Sequence, residues 1–138
     1  MSSFDVLWAA YYAWSTENVP ALLDLLAPDF VFDVNVPLGA VSYVGSGLGK
    51  QEFERRLCQL LDEWEVAEYD PLWFRRQGIW HRAHVFYRYR ERRTGLEIES
   101  TMRHLWRVAD DEILQLQVNF DHPRLDAFRR LALAELRA

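Results

Sequence analysis

The chain has 138 residues, 50% of them hydrophobic and 14% aromatic, with six tryptophans and a formal net charge of −5. A chain of this length suits one domain over residues 1–138 that buries roughly 65–70% of its unfolded surface, and the negative balance argues against nucleic acid as a general partner. The single Cys58 excludes an internal disulfide; within FERRLCQLLDEW it reads as an apolar helix position, a structural thiol that fits a reducing cytoplasm.

The opening residues, MSSFDVLWAAYYAW, carry no basic segment and hold Asp5 early. No apolar run approaches the roughly 18 residues of a membrane span, so a cytoplasmic protein without a membrane partner is expected. Phe4, Leu7, Trp8, Tyr11, Trp14 and Ser15 fall at helical spacing and predict a helix over 4–15 with an aromatic face. A short second helix is expected over 19–26, with Asn18 as N-cap, Pro20 in its first turn and Pro28 ending it.

The next stretch, FVFDVNVPLG over 30–39, reads as a strand. Alternation puts Phe30, Phe32, Val34 and Val36 on one face and Val31, Asp33 and Asn35 on the other. The two polar side chains face either water or a pocket. Pro37, Gly39, Gly45, Gly47 and Gly49 then mark a loop, read as a flexible rim, before a third helix over 50–64. Strands are expected at about 66–76, 79–92, 97–108 and 114–120, and an amphipathic helix over 123–137 closes the chain. That order predicts an α+β domain with helices packed on one face of a curved antiparallel sheet.

A two-residue turn at Thr94–Gly95 sets Arg92 opposite Glu97 and Arg90 opposite Glu99. These charge pairs explain most of the basic segment from Arg75 to Arg93 without an anionic ligand. The other face of this hairpin then holds Ala83 opposite Trp106 and Val85 opposite His104. A three-residue loop at Asp110 to Glu112 places Val118 beside His104, Leu116 beside Trp106 and Phe120 beside Met102. His84 falls on the outer face with Arg82, Phe86 and Arg88, as a surface or dimer contact. His81, His84, His104 and His122 show no metal-ligand spacing. Gly45, Gly47 and Gly49 match no phosphate loop or dinucleotide fingerprint, and Ser15 and Ser100 lack the partners of a nucleophile. No cofactor and no metal are expected.

The order of elements, together with FVFDVNVPLG, YVGSGLGKQEFERRL and HLWRVADDEILQLQVNFD, resembles the SnoaL-like, ketosteroid-isomerase-like branch of the NTF2-like superfamily over nearly the whole chain. The resemblance implies a cone-shaped α+β barrel around a mostly apolar cavity for a hydrophobic small molecule, commonly in a homodimer packed through the outer sheet face. It turns Asp33 and Asn35 toward the cavity, with Tyr87, Met102, His104, Trp106 and Val118 on the long strands and Tyr11 or Trp14 on the helix side.

Steroid isomerases of this fold use a carboxylate base on the first strand, a helix Tyr and a protonated Asp. Here Asp33 lies near the base position, although strict spacing puts Val34 or Val36 there. Tyr11 lies one residue from the strict match, Ala10, and the protonated Asp corresponds to His104 or Arg103, with alternation favouring His104. NVPL, residues 35–38, resembles an Asn-x-Pro-Leu segment of limonene epoxide hydrolases. Their Arg and two Asp fall on Val85, Tyr87 and Val118, which leaves an attacking water without a base.

Asp33 as proton acceptor, His104 and Tyr11 as donors to a developing enolate, and Asn35 as orienting group would serve an isomerase, lyase or polyketide cyclase acting on a hydrophobic carbonyl compound. A binding protein using the same pocket without turnover is the second reading, and an interaction module using the outer sheet face is a third. The enzyme requires Asp33 and His104 within reach of one ligand atom. The binding protein leaves at least one pointing away or locked in structural hydrogen bonds.

Overall fold

A computed structural model of the chain describes residues 2–35, 45–120 and 131. The first helix, α1 (Ser3–Ser15), starts at a capping box in which Ser2 Oγ accepts from the Asp5 amide and the Asp5 carboxylate accepts from the Ser2 amide. Its buried face includes Leu7, Tyr11 and Trp14, whereas Trp8 stays half-exposed with its ring edge against Phe74, 5.3 Å away. Asn18 caps α2 (Val19–Leu23), as its spacing predicts.

That helix ends earlier than expected because β1 (Leu26–Asn35) begins at once: the Ile113 amide donates to the Leu25 carbonyl at 2.9 Å, and Leu26 pairs with Ile113. Pro28 lies in the irregular stretch between Leu26 and Val31, where a ladder bond is not required of it. The glycine-rich segment forms a short strand, β2 (Gly45–Leu48), paired antiparallel with β1. Gly47 sits opposite Phe32, and a Cβ there would lie 2.2 Å from Phe32 Cζ, so that glycine makes room for a ring. This corrects the reading of the segment from residue 45 as a flexible rim. The stretch around Pro37 and Gly39 and the helix expected over 123–137 lie outside the described residues.

Helix α3 (Lys50–Glu63) buries Phe53 and Leu57, and Phe53 packs on Phe30 and Phe32 with both centroid separations 4.9 Å. Then come β3 (Trp64–Gln77), β4 (Trp80–Glu91), β5 (Glu97–Ala109) and β6 (Glu112–Phe120). The sheet order is β2-β1-β6-β5-β4-β3, antiparallel except for the parallel β1–β6 pair.

The β4–β5 register differs from the expected one. The loop spans residues 92–95, closed by the Glu91 amide donating to Leu96 O at 2.8 Å, with Gly95 at φ 73°. Arg90 therefore faces Glu97, Arg88 faces Glu99, Ala83 faces His104 and Met102 faces Val85. The slip moves each partner by two positions, so every side chain keeps its predicted face. Arg92, freed from the ladder, donates to Glu17 at 3.1 Å and to the Leu61 carbonyl at 2.7 Å. The β5–β6 register is the expected one, His104 beside Val118 and Trp106 beside Leu116, but its origin differs. A two-residue turn of Asp110 and Asp111, with φ 53° and 63°, is combined with an irregularity between Arg107 and Val108.

Candidate functional site

The inner face of the sheet meets α1, and Tyr11, Tyr69, His104 and Trp106 form a connected polar cluster there. Tyr11, in the middle of α1, reaches His104 and Trp106 on β5. Its hydroxyl lies 2.9 Å from Trp106 Nε1 and 2.6 Å from His104 Nδ1. An indole N–H only donates, so the Tyr11 oxygen accepts from Trp106; a second acceptance, from His104, would leave the Tyr11 proton without an acceptor, whereas His104 Nδ1 supplies one, so the hydroxyl donates to it. This assigns the histidine tautomer: Nδ1 accepts, and the neutral ring carries its hydrogen on Nε2.

That Nε2 lies 3.1 Å from Met102 Sδ and 3.2 Å from the Tyr69 hydroxyl. Tyr69 stacks on Tyr89, whose hydroxyl accepts from Trp14 Nε1 at 3.0 Å. His104 is 3% exposed, and burial pushes its pKa down to about 3. Burial pushes the hydroxyls of Tyr11 and Tyr69 up. All three groups are therefore neutral near pH 7.

Tyr11, His104, Trp106, Met102, Val118, Tyr87 and Trp14 are all buried, and the strand residues among them share the inner face. Both helix candidates, Tyr11 and Trp14, bond inner-face side chains. Asp33 does not join them. In the β1–β6 pairing Val34 lies beside Val118, which lies beside His104, so Asp33 occupies the opposite face in a row with Gln117 and Leu105. It accepts from Ser46 Oγ at 3.1 Å on the exposed side. The physical reason is the other half of the alternation: Phe30 and Phe32 bury against Phe53, and a strand cannot turn both faces inward. The expectation for the Asn35 side chain falls outside the described residues.

Tyr69 is the site residue that alternation misses. Counting by twos from buried Val66 points Tyr69 outward, but an irregularity between Val66 and Glu68 reverses the phase and turns it in. The available signal is that charged Glu68 and Asp70 flank it. His81 is a second buried histidine, 2.9 Å from Ser3 Oγ through Nε2 and edge-on to Phe4, with burial lowering its pKa. Among the described residues the buried polar side chains other than tyrosine and tryptophan are His81 and His104, with no buried carboxylate. No group of three or more His, Cys, Asp or Glu that could hold a metal occurs among them, and no helix there is long and apolar enough to cross a membrane.

A curved, mostly antiparallel sheet wrapped on an N-terminal helix, with an aromatic interior, is the NTF2-like, ketosteroid-isomerase-like class of α+β fold. The SnoaL-like domain matches residues 8–116, and the chain belongs to that family. No curated protein matches it.

Solved structures share the fold at low identity. An NTF2-like protein of unknown function from Burkholderia pseudomallei is 20% identical, with 94% of this chain and 97% of that one covered at a TM-score of 0.79. TerC, co-crystallised with polyporic acid, is 18% identical over 93% and 95%, with a TM-score of 0.78. A protein of ketosteroid-isomerase-like fold from Catenulispora acidiphila, in complex with trimethylamine, is 17% identical over 91% and 92%, with a TM-score of 0.77.

Proposed function

We propose that this chain binds a hydrophobic small molecule carrying a carbonyl or hydroxyl oxygen, and does so without turning it over. The ligand lies against the aromatic inner face and meets the polar edge formed by the Tyr69 hydroxyl and His104 Nε2–H. The observation that carries this reading is the hydrogen-bonding state of His104. The Tyr11 hydroxyl lies 2.6 Å from Nδ1, and the tautomer assigned from that contact puts the ring hydrogen on Nε2, so the ring meets a ligand as a donor and not as a base. Enolisation, the shared step of isomerase and cyclase chemistry, needs a base of matched pKa. Asp33, the expected base, faces away. TerC, co-crystallised with polyporic acid, and the Catenulispora protein, in complex with trimethylamine, support a small-molecule ligand for this fold. A homodimer through the outer sheet face belongs to the same reading.

The test uses 1-tetralone, a bicyclic aromatic ketone, and its parent hydrocarbon tetralin. The ketone is expected to bind about two- to tenfold more tightly, the worth of one hydrogen bond to a buried neutral donor. Tyr69→Phe and His104→Phe each reduce that ratio. Equal binding of the two compounds contradicts the polar edge. Protein-accelerated exchange of the ketone's α-protons in D2O, lost in His104→Phe, contradicts the absence of turnover.

A further inference from the structure

His81 is 1% exposed and lies outside the polar cluster around Tyr11. On β4 it stands two residues before Ala83, the residue facing His104, so both histidines lie on the inner face but meet α1 at different points, Ser3 and Tyr11. His81 Nε2 is 2.9 Å from Ser3 Oγ, 78 positions away in the chain. The Ile79 backbone carbonyl stabilises a proton on the ring, and because Ser3 occupies Nε2 that proton sits on Nδ1, although short of a full hydrogen bond. Nε2 therefore keeps its lone pair, and the Ser3 hydroxyl donates to it. A serine oxygen held on a neutral imidazole base is the arrangement that makes a hydroxyl nucleophilic.

Burial, opposed by the Ile79 carbonyl and reinforced by the Arg76 charge, holds the His81 pKa below its ordinary 6.5, so the ring is neutral near pH 7. Ser3 opens α1, where backbone N–H groups lack intrahelical acceptors. Ser2 Oγ takes the Asp5 amide and the Ser2 carbonyl takes the Val6 amide, which leaves the amides of Ser3 and Phe4 without acceptors among the described residues. These two, at the positive end of the helix dipole, adjoin the site where an attack by Ser3 would develop negative charge. Ser3 itself is partly exposed. Aromatic rings flank the pair: Phe4 lies edge-on at 5.3 Å from His81 and 5.9 Å from Phe74.

We propose that Ser3 and His81 form a nucleophilic pair that accepts an acyl group from an activated aryl ester, whose ring lies against Phe4 and Phe74. Ser3 Oγ attacks the ester carbonyl carbon as its proton passes to His81 Nε2. The bond from that carbon to the aryl oxygen breaks with its electron pair, and the proton moves from His81 to the departing oxygen. Water, activated by the same base, then attacks the acyl carbon, restores the Ser3 hydroxyl and releases the carboxylic acid. No oxidant or reductant enters. A purely structural bond would also satisfy His81, but would leave the Ser3 hydroxyl no more reactive than that of Ser2, which donates to Asp5 instead. The pair lies outside the Tyr69–His104 edge, so its chemistry stands or falls independently of the ligand proposed there.

Incubation of the whole chain with 4-nitrophenyl acetate, an acid quench within the first turnover and peptide mass spectrometry test it. The acetyl group is expected on Ser3 at least about 100-fold ahead of Ser2, the low end of what a positioned general base contributes. His81→Gln, which keeps a hydrogen-bonding side chain but no base, is expected to slow acetylation of Ser3 at least about 100-fold. The wild-type rate at Ser3 should level off above about pH 6.5, whereas acetylation of the amino terminus keeps rising toward about pH 8. Labelling confined to the amino terminus, Lys50 and Cys58, or equal on Ser2 and Ser3, overturns the proposal. So does a folded His81→Gln that is acetylated on Ser3 as fast as the wild type. If that variant fails to fold by circular dichroism, the wild-type labelling ratio and pH profile decide, and a Ser3 rate that climbs about tenfold per pH unit through about pH 6–9 overturns the pair.

Discussion

Tyr11 holds the interior cluster together because one hydroxyl satisfies two buried partners at once, the Trp106 indole N–H and His104 Nδ1. Tyr11→Phe keeps the ring packing and orphans both, so a loss of about 1–3 kcal/mol in urea unfolding is expected. The same burial makes stability depend on pH. The folded pKa of His104 is about 3 against an ordinary 6.5, so the unfolded chain takes up the proton first. The stability from the neutral ring is complete above about pH 6.5. It falls as pH drops through that value toward about 3, by up to about 1.4 kcal/mol per pH unit. His81 shifts in the same direction. Glu52, held down to about 2 by hydrogen bonds from Arg55 and Arg56, loses its contribution only below about 4.5. Unfolding free energies between pH 7 and 5 should therefore fall in the wild type and fall less steeply in His104→Gln.

Among the elements, those with a strong period were legible from the amino acids, and those set by contact with another strand were not. Leu7, Tyr11 and Trp14 mark the face of α1 directly, and Asn18 and Pro20 mark the start of α2. The strand Gly45–Leu48 carries no β-branched residue, and its glycine answers to Phe32 across the ladder. Gly47→Ala is expected to cost about 1–3 kcal/mol in thermal or urea unfolding, because a Cβ there collides with the Phe32 ring, which already packs against Phe30, Phe53 and the Arg56 guanidinium. Tyr69 escaped for a related reason: the irregularity before Glu68 changes the phase of β3, and periodicity cannot show where a phase changes. The β5–β6 turn was legible in its register but not in its form. Asp111→Gly, which removes the strain of a left-handed side-chain-bearing residue, should raise stability by about 0.5–1 kcal/mol in the same assay.

At the scale of the molecule, the α+β class and the meander follow from the alternation of helical and strand periods, and the family is confirmed by the SnoaL-like match over residues 8–116. The candidate site was half legible. Tyr11, His104 and Trp106 sit on faces their spacing assigns, whereas Asp33 was turned inward by resemblance and is turned outward by the burial of Phe30 and Phe32. An interior with buried histidines and tyrosines and no buried carboxylate among the described residues suits recognition of a neutral oxygen-bearing ligand better than proton abstraction. The direct measurement is proton NMR of 1-tetralone in D2O with and without the protein. The account predicts saturable line broadening, weakened in Tyr69→Phe, with α-proton exchange no faster than in buffer. Exchange accelerated by the wild type and abolished by His104→Phe, or an absence of binding, would contradict it.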